Sequence, residues 1–92
     1  MVMVMGQDRR PALKRPPKTP IYQQIANFYA GLITGGTLKP GDKIPSVMEM
    51  AAAWDVADRT ARGTLRELKR RRLVYTVLRD GTYVAPPPAP PQ

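Results

Sequence analysis

The architecture of this chain can be worked out from residues 46–72, which read SVMEMAAAWDVADRTARGTLRELKRRR. Ser46 and Glu49 have the spacing of a capping box, in which each side chain satisfies a backbone amide at the start of a helix. A helix is therefore predicted over about residues 47–54. Residues 55–57 form a short break, after which a second helical pattern begins, so this segment is predicted to be a helix-turn-helix.

The second helix of this pair is predicted to begin at Asp58 and to continue to about Arg72. At about 100° per residue, its cationic and apolar side chains separate onto opposite faces. The cationic face contains Arg59, Arg62, Arg66, Lys69 and Arg70, and the apolar face contains Ala61, Leu65 and Leu68. Like charges four residues apart weaken an isolated helix. A phosphate backbone would neutralise several of them together, so the order of the elements favours nucleic-acid binding over a merely solvated basic face.

A further helix is predicted before this pair. Thr19 and Pro20 are typical of a helix start, with threonine as the cap and proline in the first turn. Apolar residues then recur at helical spacing, and Gly35-Gly36 predicts a left-handed end. These apolar residues are Ile21, Ile25, Phe28, Tyr29, Leu32 and Ile33. Residues 39–42 place proline and glycine at the centre of a type II turn that leads to the next helix.

A β-hairpin is predicted after the helices. Leu73–Leu78 and Thr82–Val84 are rich in β-prone residues and flank Arg79-Asp-Gly81, which contains the Asp-Gly pair typical of hairpin turns. The predicted fold is α+β and mainly α: a winged helix-turn-helix of three helices and a two-stranded wing. It is predicted to occupy residues 19–85, between a flexible basic arm at residues 1–18 and a Pro-rich tail at residues 86–92.

The composition favours a polyanionic partner. The chain has 15 Lys and Arg against 7 Asp and Glu, which gives a net charge of +8. It has no Cys and no His, so it lacks the commonest metal ligands and the commonest general base. We therefore predict no catalytic residue, no cofactor and no metal, and we do not expect an enzyme. No apolar run reaches the roughly 18 residues of a membrane helix, and we expect a cytoplasmic protein that joins the bacterial nucleoid when it is bound to DNA.

Several short motifs, in this order and spacing, resemble the amino-terminal domain of GntR-type repressors. They span residues 20–85, and although each is weak alone, their combination is specific. The motifs are Pro20-Ile-Tyr-Gln-Gln-Ile25, Gly36-Thr-Leu-Lys-Pro-Gly41, Ile44-Pro-Ser46, Glu49-Met-Ala51, Val56, Arg59-Thr60, Arg62, Leu65, Leu68, Leu73-Val74 and Gly81-Thr-Tyr-Val84.

This resemblance implies that the third helix lies in the major groove and that the wing tip lies near the minor groove. It also implies a phosphate at the start of the second helix and base contacts from the start of the third. The predicted DNA-binding residues are Ser46, Arg59, Thr60, Arg62, Gly63, Arg66, Arg79 and Gly81. The predicted partner is double-stranded DNA with an inverted-repeat operator, bound by two chains that are monomeric or weakly dimeric off DNA. The effector domain usual in the family is expected to be absent from this chain.

The chain departs from the family pattern at five places. Met48 stands where an arginine is common, and Ala57-Asp58 replaces a Ser-Arg pair, with Asp58 expected to cap the third helix instead. Asp55, Arg72 and Arg79 stand where glycine is common. We expect backbone strain at the corners that Asp55 and Arg72 occupy.

Two other functions are compatible with the sequence. A winged helix with a Pro-rich tail suits a protein-interaction module, because polyproline binds aromatic grooves. Binding of RNA or single-stranded DNA would require exposed aromatic side chains between the basic residues. Tyr22, Tyr29, Trp54 and Tyr83 instead occupy apolar positions and are predicted to pack in the core.

Overall fold

A computed structural model describes residues 12–13 and 18–87. Its elements, in chain order, are α1 (Ile21–Thr34), β1 (Lys43–Ile44), α2 (Val47–Trp54), α3 (Asp58–Arg70), β2 (Val74–Val77) and β3 (Gly81–Val84). The winged helix-turn-helix of three helices and a wing is confirmed. Most of the predicted arm and tail lies outside the described residues. None of the described helices is both long enough and apolar enough to cross a membrane.

The start of α1 differs from the prediction. Thr19 does not cap the helix: the N-cap is Pro20, which has extended backbone at φ −51° and ψ 146° and makes no side-chain cap. Its carbonyl accepts from the amides of Gln23 and Gln24 at 3.0 and 3.1 Å. Because Pro20 itself has extended backbone, the first helical residue is Ile21 and the cap position falls one residue later than predicted.

The turn and the cap that lead into α2 are both confirmed. The amide of Asp42 donates to the Lys39 carbonyl at 2.9 Å, and Gly41 is left-handed at φ +91°, as a type II turn requires. At the start of α2, the Ser46 hydroxyl accepts from the Glu49 amide at 3.1 Å, and the Glu49 carboxylate accepts from the Ser46 amide at 2.9 Å. This is the predicted capping box.

Helices α2 and α3 both end in Schellman motifs closed by a residue other than glycine. Asp55 and Arg72 are left-handed, at φ +55° and +62°. In each motif, the amide of the left-handed residue and the amide of the residue after it donate hydrogen bonds to carbonyls in the last turn of the helix. Asp55 and Arg72 therefore occupy left-handed corners where glycine would be favoured, and the strain expected there remains a prediction. Arg72 lies beyond α3, which ends at Arg70 and not at the predicted position.

The expectation that Asp58 caps α3 is wrong. The N-cap is Ala57, which makes no side-chain hydrogen bond, and Asp58 is the first helical residue. A carboxylate in the first turn still interacts favourably with the positive end of the helix dipole.

The predicted hairpin is confirmed, and it belongs to a three-stranded sheet. The strand order is β1-β3-β2, with both pairings antiparallel. Strand β1 was not predicted, and the turn is one residue earlier than expected: it comprises residues 78–80, and Gly81 begins β3. Strand β2 is also shorter than the predicted Leu73–Leu78.

The core lies between α1, α3 and the sheet, with α2 closing one side. Its buried apolar residues are Ile25, Ala26, Tyr29, Ile44, Met50, Trp54, Ala61, Leu65, Leu68, Val74 and Val84. The prediction that aromatic residues pack in the core is confirmed for Tyr29 and Trp54. It is wrong for Tyr22 and Tyr83, which are only half-buried. Tyr22 lines a surface cleft and the Tyr83 ring stacks on the exposed Tyr75, so neither ring is enclosed by the core.

Candidate nucleic-acid interface

The predicted division of α3 into two faces is confirmed. Ala61, Leu65 and Leu68 are buried, whereas the five predicted cations of the opposite arc are exposed. Among the described residues, no carboxylate forms an ion pair with Arg59, Arg62, Arg66 or Lys69. These four side chains, the cationic face of α3, therefore repel one another and leave their charge available to a polyanion.

A cleft of about 660 Å³ separates this face from the first turn of α1. It is lined by Ile21, Tyr22, Arg59, Thr60, Arg62, Gly63, Arg66, Glu67 and Arg70. Five of the predicted site residues therefore meet in one place. The Thr64 hydroxyl lies 3.0 Å from the Thr60 carbonyl and 3.3 Å from the Tyr22 carbonyl, which fixes α1 beside α3.

Gly63 lies against the ring of Tyr22 in this cleft. A methyl group at Gly63 would lie 3.5 Å from the nearest Tyr22 carbons, an ordinary van der Waals distance. Its φ is not in the left-handed region. The fold itself therefore does not require glycine at this position, although glycine weakens a helix by about 1 kcal/mol relative to alanine.

Glu67 is a buried carboxylate at the border of the cleft. It accepts from Arg70 Nε at 3.0 Å, from Arg70 Nη2 at 2.6 Å and from Arg71 Nε at 2.9 Å. These hydrogen bonds, from Arg70 first and then Arg71, lower the pKa of Glu67 to about 2. Arg71 also donates to the Asn27 side chain at 2.9 Å. Arg70, predicted as part of the cationic arc, is thus paired within the chain, unlike the four residues of the cationic face.

Ser46 is exposed at the start of α2, where its hydroxyl and the Glu49 carboxylate already satisfy two amides. The hydrogen bond from the Ser46 amide is the main cause that lowers the pKa of Glu49. The next residue, Val47, lines a second cleft of about 340 Å³ with Arg62, Arg66, Lys69, Leu65, Thr76 and Thr82. The start of α2, the cationic face and the inner side of the wing are therefore neighbours.

The wing carries the last two predicted site residues. The Asp80 amide donates to the Val77 carbonyl at 3.0 Å, so Leu78 and Arg79 are the central residues of the turn. Arg79 is left-handed at φ +64°. The backbone favours glycine at position 81, since its φ of +155° is one that other residues rarely adopt, whereas the Lys43 side chain that a Cβ would approach can move aside.

Three contributors to this surface were not found by sequence reasoning. Tyr22 was predicted to be a core residue, and Thr64 and Glu67 lie at helix positions between the two predicted faces. The spacing of Glu67 from Arg70 and Arg71, three and four residues, was the available signal for the ion pairs. In residues 12–13 and 18–87, no group of three or more acidic, Cys or His side chains is arranged to hold a metal ion.

The comparison with protein families gives a match over most of the folded part. The model described as "Bacterial regulatory proteins, gntR family" matches residues 21–84. The HTH-type transcriptional repressor YtrA of Bacillus subtilis (strain 168) is 39% identical over 67 residues, which are 73% of this chain and 52% of that protein. This chain therefore spans about half the length of that relative.

Solved structures of similar fold include DNA-bound ones. YtrA from Sulfolobus acidocaldarius, a GntR-family transcription factor, has a TM-score of 0.71 and 35% identity, covering 84% of this chain and 80% of that chain. AraR(DBD) in complex with operator ORX1 has a TM-score of 0.68 and 32% identity, covering 72% of this chain and 80% of that chain. The helices and the wing described above therefore match domains that include one crystallised on its operator.

Proposed function

The chain belongs to the gntR family of bacterial regulatory proteins, and we propose that it represses transcription by binding an operator in duplex DNA through α3 and the wing. The observation that carries this proposal is the cationic face of α3, where four cations have no described carboxylate partner and each borders at least one cleft, with Arg62 and Arg66 bordering both. Double-stranded DNA supplies a regular array of phosphates that neutralises such a face. The protein-interaction module has no comparable support.

The residues divide into groups by the part of DNA they face in this proposal. Arg59, Thr60, Arg62 and Gly63, in the first half of α3, read base edges in the major groove. Arginine in this position suits guanine, whose two acceptor atoms match a bidentate guanidinium. Because the fold does not require glycine at position 63, its role in this proposal is to let α3 approach a base or sugar closely.

Phosphate contacts surround this base-reading centre. Arg66 lies one turn further along α3, and Ser46 presents its hydroxyl at the start of α2. Arg79 and Gly81 extend the proposed DNA-binding surface onto the wing, near the minor groove. In this arrangement phosphate contacts set the orientation, while the arginines at the start of α3 supply the sequence preference.

We further propose that two chains bind one inverted-repeat operator. The apolar faces of the helices and the inner side of the sheet are used in the core, and a net charge of +8 opposes association of two free chains. DNA removes that repulsion and places two chains side by side. The same binding would bring a cytoplasmic protein to the nucleoid.

The test begins with selection of bound duplexes from a random pool, followed by titration of the selected duplex and a scrambled one. We expect an inverted repeat, saturation at two chains, and affinity that falls with salt at a log–log slope of about −0.9 for each phosphate contacted. Recovery of no preferred sequence, with affinity independent of salt, would refute the proposal.

Arg62→Ala then tests the base-reading role. It should reduce discrimination between selected and scrambled duplexes by roughly 1–3 kcal/mol, the range for one bidentate contact. Lys39→Ala is the matched control, because Lys39 is an exposed cation in the turn before β1 and lines neither cleft. Equal losses on both duplexes would reassign Arg62 to a phosphate.

A further inference from the structure

Exposed apolar side chains are concentrated on the wing. In the described part of the chain, four large hydrophobic side chains are exposed, and three of them are Tyr75, Val77 and Leu78. Leu78 is the most exposed of the four, at 84%. It is also one of the two central residues of the hairpin turn, the part of the wing furthest from the core.

The fold does not explain a leucine at this position. Tyr75 lies over Tyr83, with ring centroids 6.0 Å apart, and Val77 is in a strand, where β-branched residues are favoured. Leu78 has neither role. The central positions of turns usually hold glycine, proline or small polar residues, because these adopt the backbone angles of the turn or form hydrogen bonds with the backbone and with water. The exposed leucine therefore suggests a partner that covers the wing tip.

The charges around the tip indicate which partner fits. Arg79, beside Leu78, is exposed and makes no ion pair with any described carboxylate. The neighbouring carboxylate of Asp80 interacts with the Tyr83 hydroxyl and raises the pKa of Tyr83. At the tip, the exposed Leu78 side chain therefore lies next to Arg79, a cation that forms no ion pair with a described carboxylate.

Many proteins that bind the DNA minor groove use apolar side chains together with cations. Leucine and similar residues act there as wedges between base pairs and bend the duplex, while arginine is attracted by the negative potential of the groove. The inner side of the same wing borders the second cleft with Arg62 and Arg66. The wing tip is therefore continuous with the surface proposed to bind DNA.

We infer that Leu78 is an apolar wedge that inserts between base pairs of the minor groove and bends the operator. This inference rests on the proposed function. It assigns to the wing a preference for pyrimidine–purine steps, because these unstack most easily. Such a preference would arise without any hydrogen bond to a base edge.

The experiment uses the full chain and the selected duplex, labelled at both ends for fluorescence energy transfer. Wild-type protein should bend the duplex by about 20–90°, and Leu78→Ser should abolish most of the bend. Affinity should fall about tenfold, the lower end of what burial of one leucine contributes. Leu78→Met should retain the bend, and Val77→Thr, a matched change one residue away, should leave bend and affinity unaltered.

The outcomes separate this inference from the proposed function. Binding with the same bend for wild type and Leu78→Ser would overturn the wedge and leave DNA binding intact. No binding by wild type would refute the proposed function itself. A change in the sedimentation of the free protein caused by Leu78→Ser, without a change in bending, would show that another protein chain covers the wing tip and would also overturn the wedge. Melting temperatures of the variants should match wild type, since Leu78 is exposed.

Discussion

Arg72→Gly is expected to stabilise the fold even though it removes a side chain. Arg72 is held at φ +62° by two hydrogen bonds: its own amide donates to Lys69, and the Leu73 amide donates to Leu68. Left-handed backbone costs a residue other than glycine roughly 1–2 kcal/mol, whereas glycine gains about 0.5–1 kcal/mol of chain entropy in the unfolded state. The net expected stabilisation is about 0.5–1 kcal/mol. For a domain of this size it corresponds to about 2–8 °C in melting temperature.

Thermal unfolding followed by circular dichroism measures this effect, with Arg72→Ala as the control. Alanine removes the same charge but remains strained at positive φ, so it should not stabilise the protein. Both variants should lose the same modest amount of DNA affinity, because both lack one cation. Asp55→Gly, at φ +55°, should raise the melting temperature without that loss. If Arg72→Gly and Arg72→Ala melt together, the left-handed corner is not strained and the reasoning fails.

Three further predictions concern α3. Leu65→Ala should destabilise the domain by about 2–5 kcal/mol in urea unfolding, because it leaves a cavity in the core; lost DNA affinity at unchanged stability would mean that the two faces of α3 are reversed. Glu67→Gln should lower stability at neutral pH. Since the folded pKa of Glu67 is about 2, below its ordinary 4.5, the wild-type advantage should be complete above pH 4.5 and should shrink as pH falls towards 2; a constant difference across that range would contradict the ion pairs with Arg70 and Arg71. Gly63→Ala should raise helix stability by about 1 kcal/mol and weaken DNA binding, and unaltered binding would show that α3 does not approach DNA closely at this position.

Local patterns in the sequence predicted most of the fold. The capping box at Ser46 and Glu49 and the type II turn at residues 39–42 each depend on residues within four positions of one another. The faces of α3 follow from helical spacing alone. Such features need no knowledge of distant parts of the chain, and the structure contains all of them.

The features that were missed depend on contacts between distant residues. Strand β1 has only two residues and exists because Lys43 and Ile44 pair with Tyr83 and Thr82. Two residues show no periodicity, so this pairing leaves no local pattern in the sequence. Tyr22 has the spacing of a core residue in α1, yet the cleft beside Gly63 leaves its ring partly open to solvent.

Helix α3 supplies both a core face and a cationic face, and helical spacing keeps the two apart. Substitutions of Leu65 or Leu68 should therefore act on stability, and substitutions of Arg62 or Arg66 on DNA affinity. Glu67 belongs to neither face alone. Its carboxylate is buried, so its loss weakens the fold, and it offsets one of the two positive charges of Arg70 and Arg71, so its loss also increases the positive charge presented to DNA. At this one residue, stability and charge cannot be varied independently.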